Sequence, residues 1–162
     1  MSAGVVVDDA AVADLDAIAG LLHALFTQEA EFTPDREKQL RALGLFMADP
    51  AVGRLFVARE NGALIGMASL QFEVSTALGG RAAWVEDVIV TEAHRGRGVG
   101  TLLFAHLIAS AQREGLVRLS LLTDHDNHVA QGFYAKMGFA TSPMITMRLV
   151  LDSATTRRGG PG

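Results

Sequence analysis

The chain has 162 residues, 49% of them hydrophobic, with a formal charge of −4 and no cysteine; this fits one compact domain and excludes a disulfide framework, a thiolate metal site and a cysteine nucleophile. An acidic chain gains no general attraction for nucleic acid, and no apolar run approaches the roughly 20 residues that span a bilayer as a helix. No basic region followed by an apolar stretch opens the chain, so a cytoplasmic protein without membrane or nucleic-acid partners is expected.

Residues 4–8 read as a first strand. Leu15, Ile18, Leu22 and Leu25 then recur at helical spacing, with Asp14 at the positive end of that helix. The pattern breaks from Gln28 to Thr33. A second helix is predicted from Thr33 as N-cap and Pro34 as its first residue, running to about Met47. Strands over 55–59 and 64–72 join through Asn61-Gly62, a strong hairpin signal, and a loop at 77–80 leads into a strand over 82–90. The period changes again at Val99, Leu103 and Leu107, which predict a helix ending near Gly115. A strand over 117–123 and a short helix from Asn127 to Met137, closed by Gly138, follow. Two last strands are predicted at 139–141 and 144–151, with Pro143 between them. This is a mixed α/β layout, one domain over residues 1–151, with a polar tail at 152–162.

The strongest local signal is Arg95-Gly96-Arg97-Gly98-Val99-Gly100, set between a strand and a helix. Glycines let successive amides converge on an anion, the helix start adds unpaired N–H groups, and two arginines add charge. A dinucleotide fingerprint starting at Gly96 needs glycine where Thr101 stands, and no Gly-Lys-Ser/Thr completes a Walker loop. A tight turn alone would need the glycines but neither arginine. The pattern describes a pyrophosphate cradle.

With Arg95, Gly98 and Gly100 in the signature positions, and with WVEDVIV, HRGRGVG and NHVAQGFYAKMGF in order, the chain resembles the GCN5-related N-acetyltransferase (GNAT) superfamily over roughly residues 4–151. The resemblance implies a central mixed sheet, splayed between its fourth and fifth strands and flanked by helices, that takes acetyl-CoA as acetyl donor. Val88, Ile89 and Val90, following a bulge, would hold the pantetheine arm. The amides from Arg95 through Gly96, Arg97, Gly98, Val99 and Gly100 to Thr101 would hold the pyrophosphate. Asn127 would cap its helix and touch the pantetheine arm; Lys136 is read either as reaching a phosphate or as an exposed helical lysine. Homodimers built through terminal strands are also implied.

Acetyl transfer asks for an uncharged amine, an acceptor for its proton and a donor for the departing thiolate. Tyr134, the only tyrosine, sits where the family places a general acid. A helix aromatic packed on the sheet is the alternative. Adjacent carboxylates in an apolar strand are costly unless they face a polar cavity or partners; Glu86 is read as the base and Asp87 as the group that positions the amine, against a solvated strand rim. Phe26, Glu29, Glu31 and Phe32 resemble the acceptor wall of the diamine acetyltransferase branch, acidic groups beside aromatics suiting an amine with an apolar body. The expected reaction is direct acetyl transfer to a small primary amine, with a polyamine or diamine preferred, then an amino-acid derivative, an aminoglycoside and a peptide N-terminus. A non-catalytic acyl-CoA-binding or protein-interaction domain is the reading from another class. His94 and His125 join no metal-ligand pattern, so no metal is expected. Asp124-His125-Asp126 is triad-like only in its letters.

Overall fold

The structure is a computed structural model that describes residues 4–29 and 33–151. Within these residues five strands form one open sheet in the order β1-β2-β3-β4-β5: Val5–Asp9, Gly53–Glu60, Ala63–Ser75, Gly80–Val90 and Leu119–Leu121. The first four are antiparallel to their neighbours; β5 runs parallel to β4. The β2–β3 hairpin turns on Asn61 and Gly62 at φ of 51° and 84°, the two positive values a tight hairpin of this twist demands. Among the described residues four α-helices flank the sheet: α1 (Leu15–Gln28), α2 (Arg36–Ala48), α3 (Val99–Arg113) and α4 (His128–Lys136).

Alternation along the strands sorts side chains onto two faces. Leu55 and Val57 of β2 pack with Ile18, Leu22 and Leu43 of α1 and α2. Phe56 and Ala58, one residue out of step, pack with Leu103, Phe104 and Leu107 of α3. Phe56 and Phe104 are fully buried, each contributing about 2–3 kcal/mol through that burial.

Three expectations change at element ends. The second helix is capped by Asp35, whose Oδ1 accepts from the Lys38 amide at 3.2 Å, and not by Thr33; Pro34 stands before the cap. Pro34 favours extended backbone at Thr33, and Asp35 itself supplies the oxygen that a helix start needs. Asp14 serves more than the helix dipole. Its Oδ2 accepts from the Ala11 amide at 2.7 Å and from Arg59 Nη2 at 2.6 Å, tying the start of α1 to β2. Arg59, then the Ala11 N–H, hold its carboxyl below the usual aspartate range. A lowered carboxylate pKa means the stabilisation is present above the unfolded-state value and is lost as pH falls through the folded one. Asp14→Ala is expected to cost about 2 kcal/mol, read as a lower urea midpoint; an unchanged midpoint would leave the pair without energetic weight.

The third change is larger. Residues 139–151 form neither of the two predicted strands. Met144, Ile145, Met147, Leu149, Val150 and Leu151 are 80–88% exposed. Alternation reports what a segment prefers beside a neighbour, and a strand exists only where a ladder forms. Among the described residues, β5 pairs with β4 alone.

Candidate active site

The site begins at a fault in β4. Opposite β3, Glu86 pairs with Ser69 and Ile89 with Met67, so the register slips between them. Asp87 takes φ +53°, rare for a residue with a side chain. A bulge of this kind inverts the alternation downstream. Ala83 and Val85 face the α3 side before it; Val88 and Val90 face that same side after it, while Ile89 joins the α1–α2 side. The Ser69 hydroxyl donates to the Glu86 carbonyl at 3.0 Å and secures the bulge from β3.

The bulge coincides with the parting of two strands. Pairing between β4 and β5 runs only from Ala83↔Leu119 to Val85↔Leu121. Beyond Val85, residues 86–90 have no partner strand on the β5 side among the described residues. The splay implied by the family resemblance therefore lies at Glu86, and Val88, Ile89 and Val90 border it.

At the end of β4 the chain makes a 3-10 turn, Glu92–His94, and enters the glycine-rich segment. Gly96 and Gly98 have φ of 70° and 83°, and Gly98 is the N-cap of α3. The Arg95 amide is already committed to the Glu92 carbonyl at 3.2 Å, so the row of available amides starts one residue later than expected. From Gly96 to Thr101 no amide finds a protein acceptor among the described residues, and the Leu102 amide returns to Gly98 O. Consecutive N–H groups at a helix start form an anion-binding concavity. Val99 is buried, so it serves this row by its backbone alone. The arginines are less free than their letters suggest. Arg95 Nε donates to Val90 O at 3.0 Å, and Arg97 Nη2 donates to Glu60 Oε1 at 2.8 Å.

Helix α4 closes the other side. A side chain added at Gly100 would meet Phe133 at 3.4 Å, which shows how closely α4 approaches the glycine segment. Asn127 caps α4, its Oδ1 accepting from the Ala130 amide at 3.1 Å. Tyr134 packs in an aromatic group, with ring centroids 5.5 Å from both Phe104 and Phe133 and 6.2 Å from Phe139. Burial pushes its phenol above the usual tyrosine value. Lys136 is exposed in the last turn of α4, far along the helix from Asn127.

Acidic groups gather beside the bulge. Burial, then the Glu86 and Glu29 charges, push Asp87 up to about 6. Burial also raises Glu86, which Arg148 partly offsets. Glu29 is the C-cap of α1, and Phe26 packs against the α1–α2 core cluster. Glu31 and Phe32 lie outside the described residues, as does the tail at 152–162. Sequence reasoning missed Glu60, which ends β2 and grips the glycine segment; no spacing connects positions 34 and 37 residues apart.

The acetyltransferase (GNAT) family model matches residues 16–139. The chain is 32% identical over 89 residues to a glucosamine 6-phosphate N-acetyltransferase of Trypanosoma brucei brucei, covering 54% of this chain and 58% of that protein. It is 31% identical over 103 residues to the D-amino-acid N-acetyltransferase HPA3 of Saccharomyces cerevisiae, covering 62% and 64%. The chain thus spans less than two thirds of either relative. A solved "possible acetyltransferase" from Clostridium difficile 630 shares the fold with a TM-score of 0.81 over 92% of this chain and 99% of that one, at 18% identity.

Proposed function

Because this chain belongs to the acetyltransferase (GNAT) family, we propose that it transfers the acetyl group of acetyl-CoA directly to the primary amine of a small cationic acceptor, a diamine or polyamine first. The residues present fit the coenzyme. The unpaired amides from Gly96 to Thr101 receive the pyrophosphate, and Val88, Ile89 and Val90 border the gap that takes the pantetheine arm. Asn127 adds a polar contact from the α4 cap, and exposed Lys136 reaches toward a phosphate. The coenzyme supplies an activated acyl carbon and a sulfur leaving group. Glu86 takes a proton from the amine, Asp87 holds the amine in line, and Tyr134 gives a proton to the departing sulfur.

The observation that carries the acceptor class is the carboxylate group at the bulge. Asp87 is partly buried there, and the Glu86 and Glu29 charges add to burial in raising its carboxyl. Such a mouth attracts an ammonium group and repels a phosphorylated or carboxylated acceptor. Phe26, with Glu31 and Phe32 beyond it in the chain, completes the proposed wall. The exposed apolar run from Met144 to Leu151 supports the accompanying reading of a homodimer through this segment. No helix among the described residues is long and apolar enough to cross a membrane, and the assignment to the cytoplasm belongs to the same proposal.

An acceptor panel with acetyl-CoA tests the reading. Diamines and polyamines are expected to show the highest kcat/KM; a preference for glucosamine 6-phosphate or a peptide N-terminus would overturn the acceptor class. Turnover of no amine despite coenzyme binding would favour a binding domain. The pH dependence is specific to Asp87. Above about 6 the carboxylate is charged and holds the ammonium; as pH falls through 6 it protonates and the hold is lost. The KM for the amine is expected to rise below pH 6 in the parent and to lose that inflection in Asp87→Asn. An inflection retained in the variant would assign the titration to another group.

A further inference from the structure

Glu60 ends β2 immediately before the Asn61-Gly62 turn of the β2–β3 hairpin. Both of its carboxylate oxygens are in use. Oε1 accepts from Arg97 Nη2 at 2.8 Å, and Oε2 lies 3.1 Å from His94 Nε2. His94 is itself held, its Nδ1 2.7 Å from Thr91 Oγ1. Thr91 is anchored in turn, its amide donating to Ile65 O at 2.8 Å on β3. The two residues that Glu60 grips stand on either side of Gly96, the first glycine of the segment. The Glu60 side chain is 20% exposed, against 43% for Arg97.

A glycine-rich turn has many conformations to lose when it closes on an anion. A carboxylate beside an anion site is unfavourable by charge alone, unless it is neutralised and serves another end. Here it is paired with Arg97 and hydrogen-bonded to His94, and it ties the turn to the β2–β3 hairpin. Holding a loop in its bound geometry raises affinity by reducing the ordering cost of binding. We propose that Glu60 is a positioning residue for the coenzyme: by gripping His94 and Arg97 it fixes the amides of Gly96–Thr101 in the arrangement that receives the pyrophosphate. This rests on reading the turn as a phosphate cradle.

Calorimetric titration with coenzyme A tests it without turnover. Glu60→Ala is expected to raise Kd about tenfold, and Glu60→Gln about threefold, since the amide keeps an acceptor for Arg97. Combining Glu60→Ala with Arg97→Ala should cost less than the two single losses added together. In steady-state assays the KM for acetyl-CoA should follow the Kd, with kcat at saturating coenzyme changed less than about twofold. A Glu60→Ala variant that binds coenzyme A as tightly as the parent, or more tightly, overturns the proposal and makes Glu60 a competitor of the phosphates for Arg97. If the alanine variant does not fold, Glu60→Gln and its cycle with Arg97→Ala decide the matter by the same criterion. A Gly98→Val control separates the two readings: loss of binding there, with none from Glu60, leaves the cradle intact and removes only the positioning role.

Discussion

Tyr134→Phe is expected to slow acetyl transfer by about 10²–10⁴-fold, the usual contribution of a positioned general acid. The substitution removes one oxygen and keeps the ring that packs on Phe104, Phe133 and Phe139. Burial raises the phenol pKa, so the hydroxyl stays protonated at neutral pH and has a proton to give as charge develops on sulfur. Ground-state binding gains nothing from that proton, so coenzyme affinity should change little. Single-turnover transfer at saturating acceptor, a binding titration and a thermal melt separate the roles. A purely structural tyrosine would lower the melting temperature and leave the chemical rate near the parent's. A variant that binds, melts and transfers like the parent would remove Tyr134 from the mechanism and pass the thiolate to water or another polar group.

Gly98→Val is expected to weaken acetyl-CoA binding about a hundredfold. Gly98 holds φ +83° at the N-cap of α3, and a left-handed conformation costs a side-chain-bearing residue about 1–2 kcal/mol. The strain is relieved by moving the turn, which takes the neighbouring amides away from the pyrophosphate. Two charge-assisted hydrogen bonds lost at about 1.5 kcal/mol each account for the factor. The core side of α3, with Leu103, Phe104 and Leu107, is untouched. The variant should therefore fold, with a modest fall in melting temperature. Isothermal titration of both proteins reads the result, and equal affinities would place the cradle elsewhere.

The parts of the site legible in sequence were those written within one element. The glycine segment announces positive φ and unpaired amides through its letters. Asn127 announces a cap, and it is one. The bulge came from the family resemblance, with the blurred alternation of VEDVIV no more than compatible with it; which carboxylate took the strained position was not legible, since either of two adjacent residues satisfies the pattern. Glu60 was invisible for a different reason: its partners His94 and Arg97 are brought to it by the β2–β3–β4 meander, and pairing across a sheet leaves no periodic mark. The error at 144–151 has the opposite origin. Strand propensity is written in that run, but among the described residues no neighbour forms a ladder with it.

The short β4–β5 ladder has a consequence for how the domain opens. Beyond three paired residues, β5 and α4 rest on the core through side chains that are only partly buried, among them Leu119, Leu121, Phe133 and Tyr134, and no residue of α4 is fully buried. Units held by few buried contacts separate at lower free energy than the whole fold. Amide protons of residues 119–136 should therefore exchange with deuterium through a partial detachment, well before those of β2 and β3. A ligand seated across the gap touches both parts and favours their closed arrangement by mass action. Saturating coenzyme should then slow exchange in β5 and α4 far more than in the central strands, so that the tyrosine helix is ordered most fully when a donor is in place.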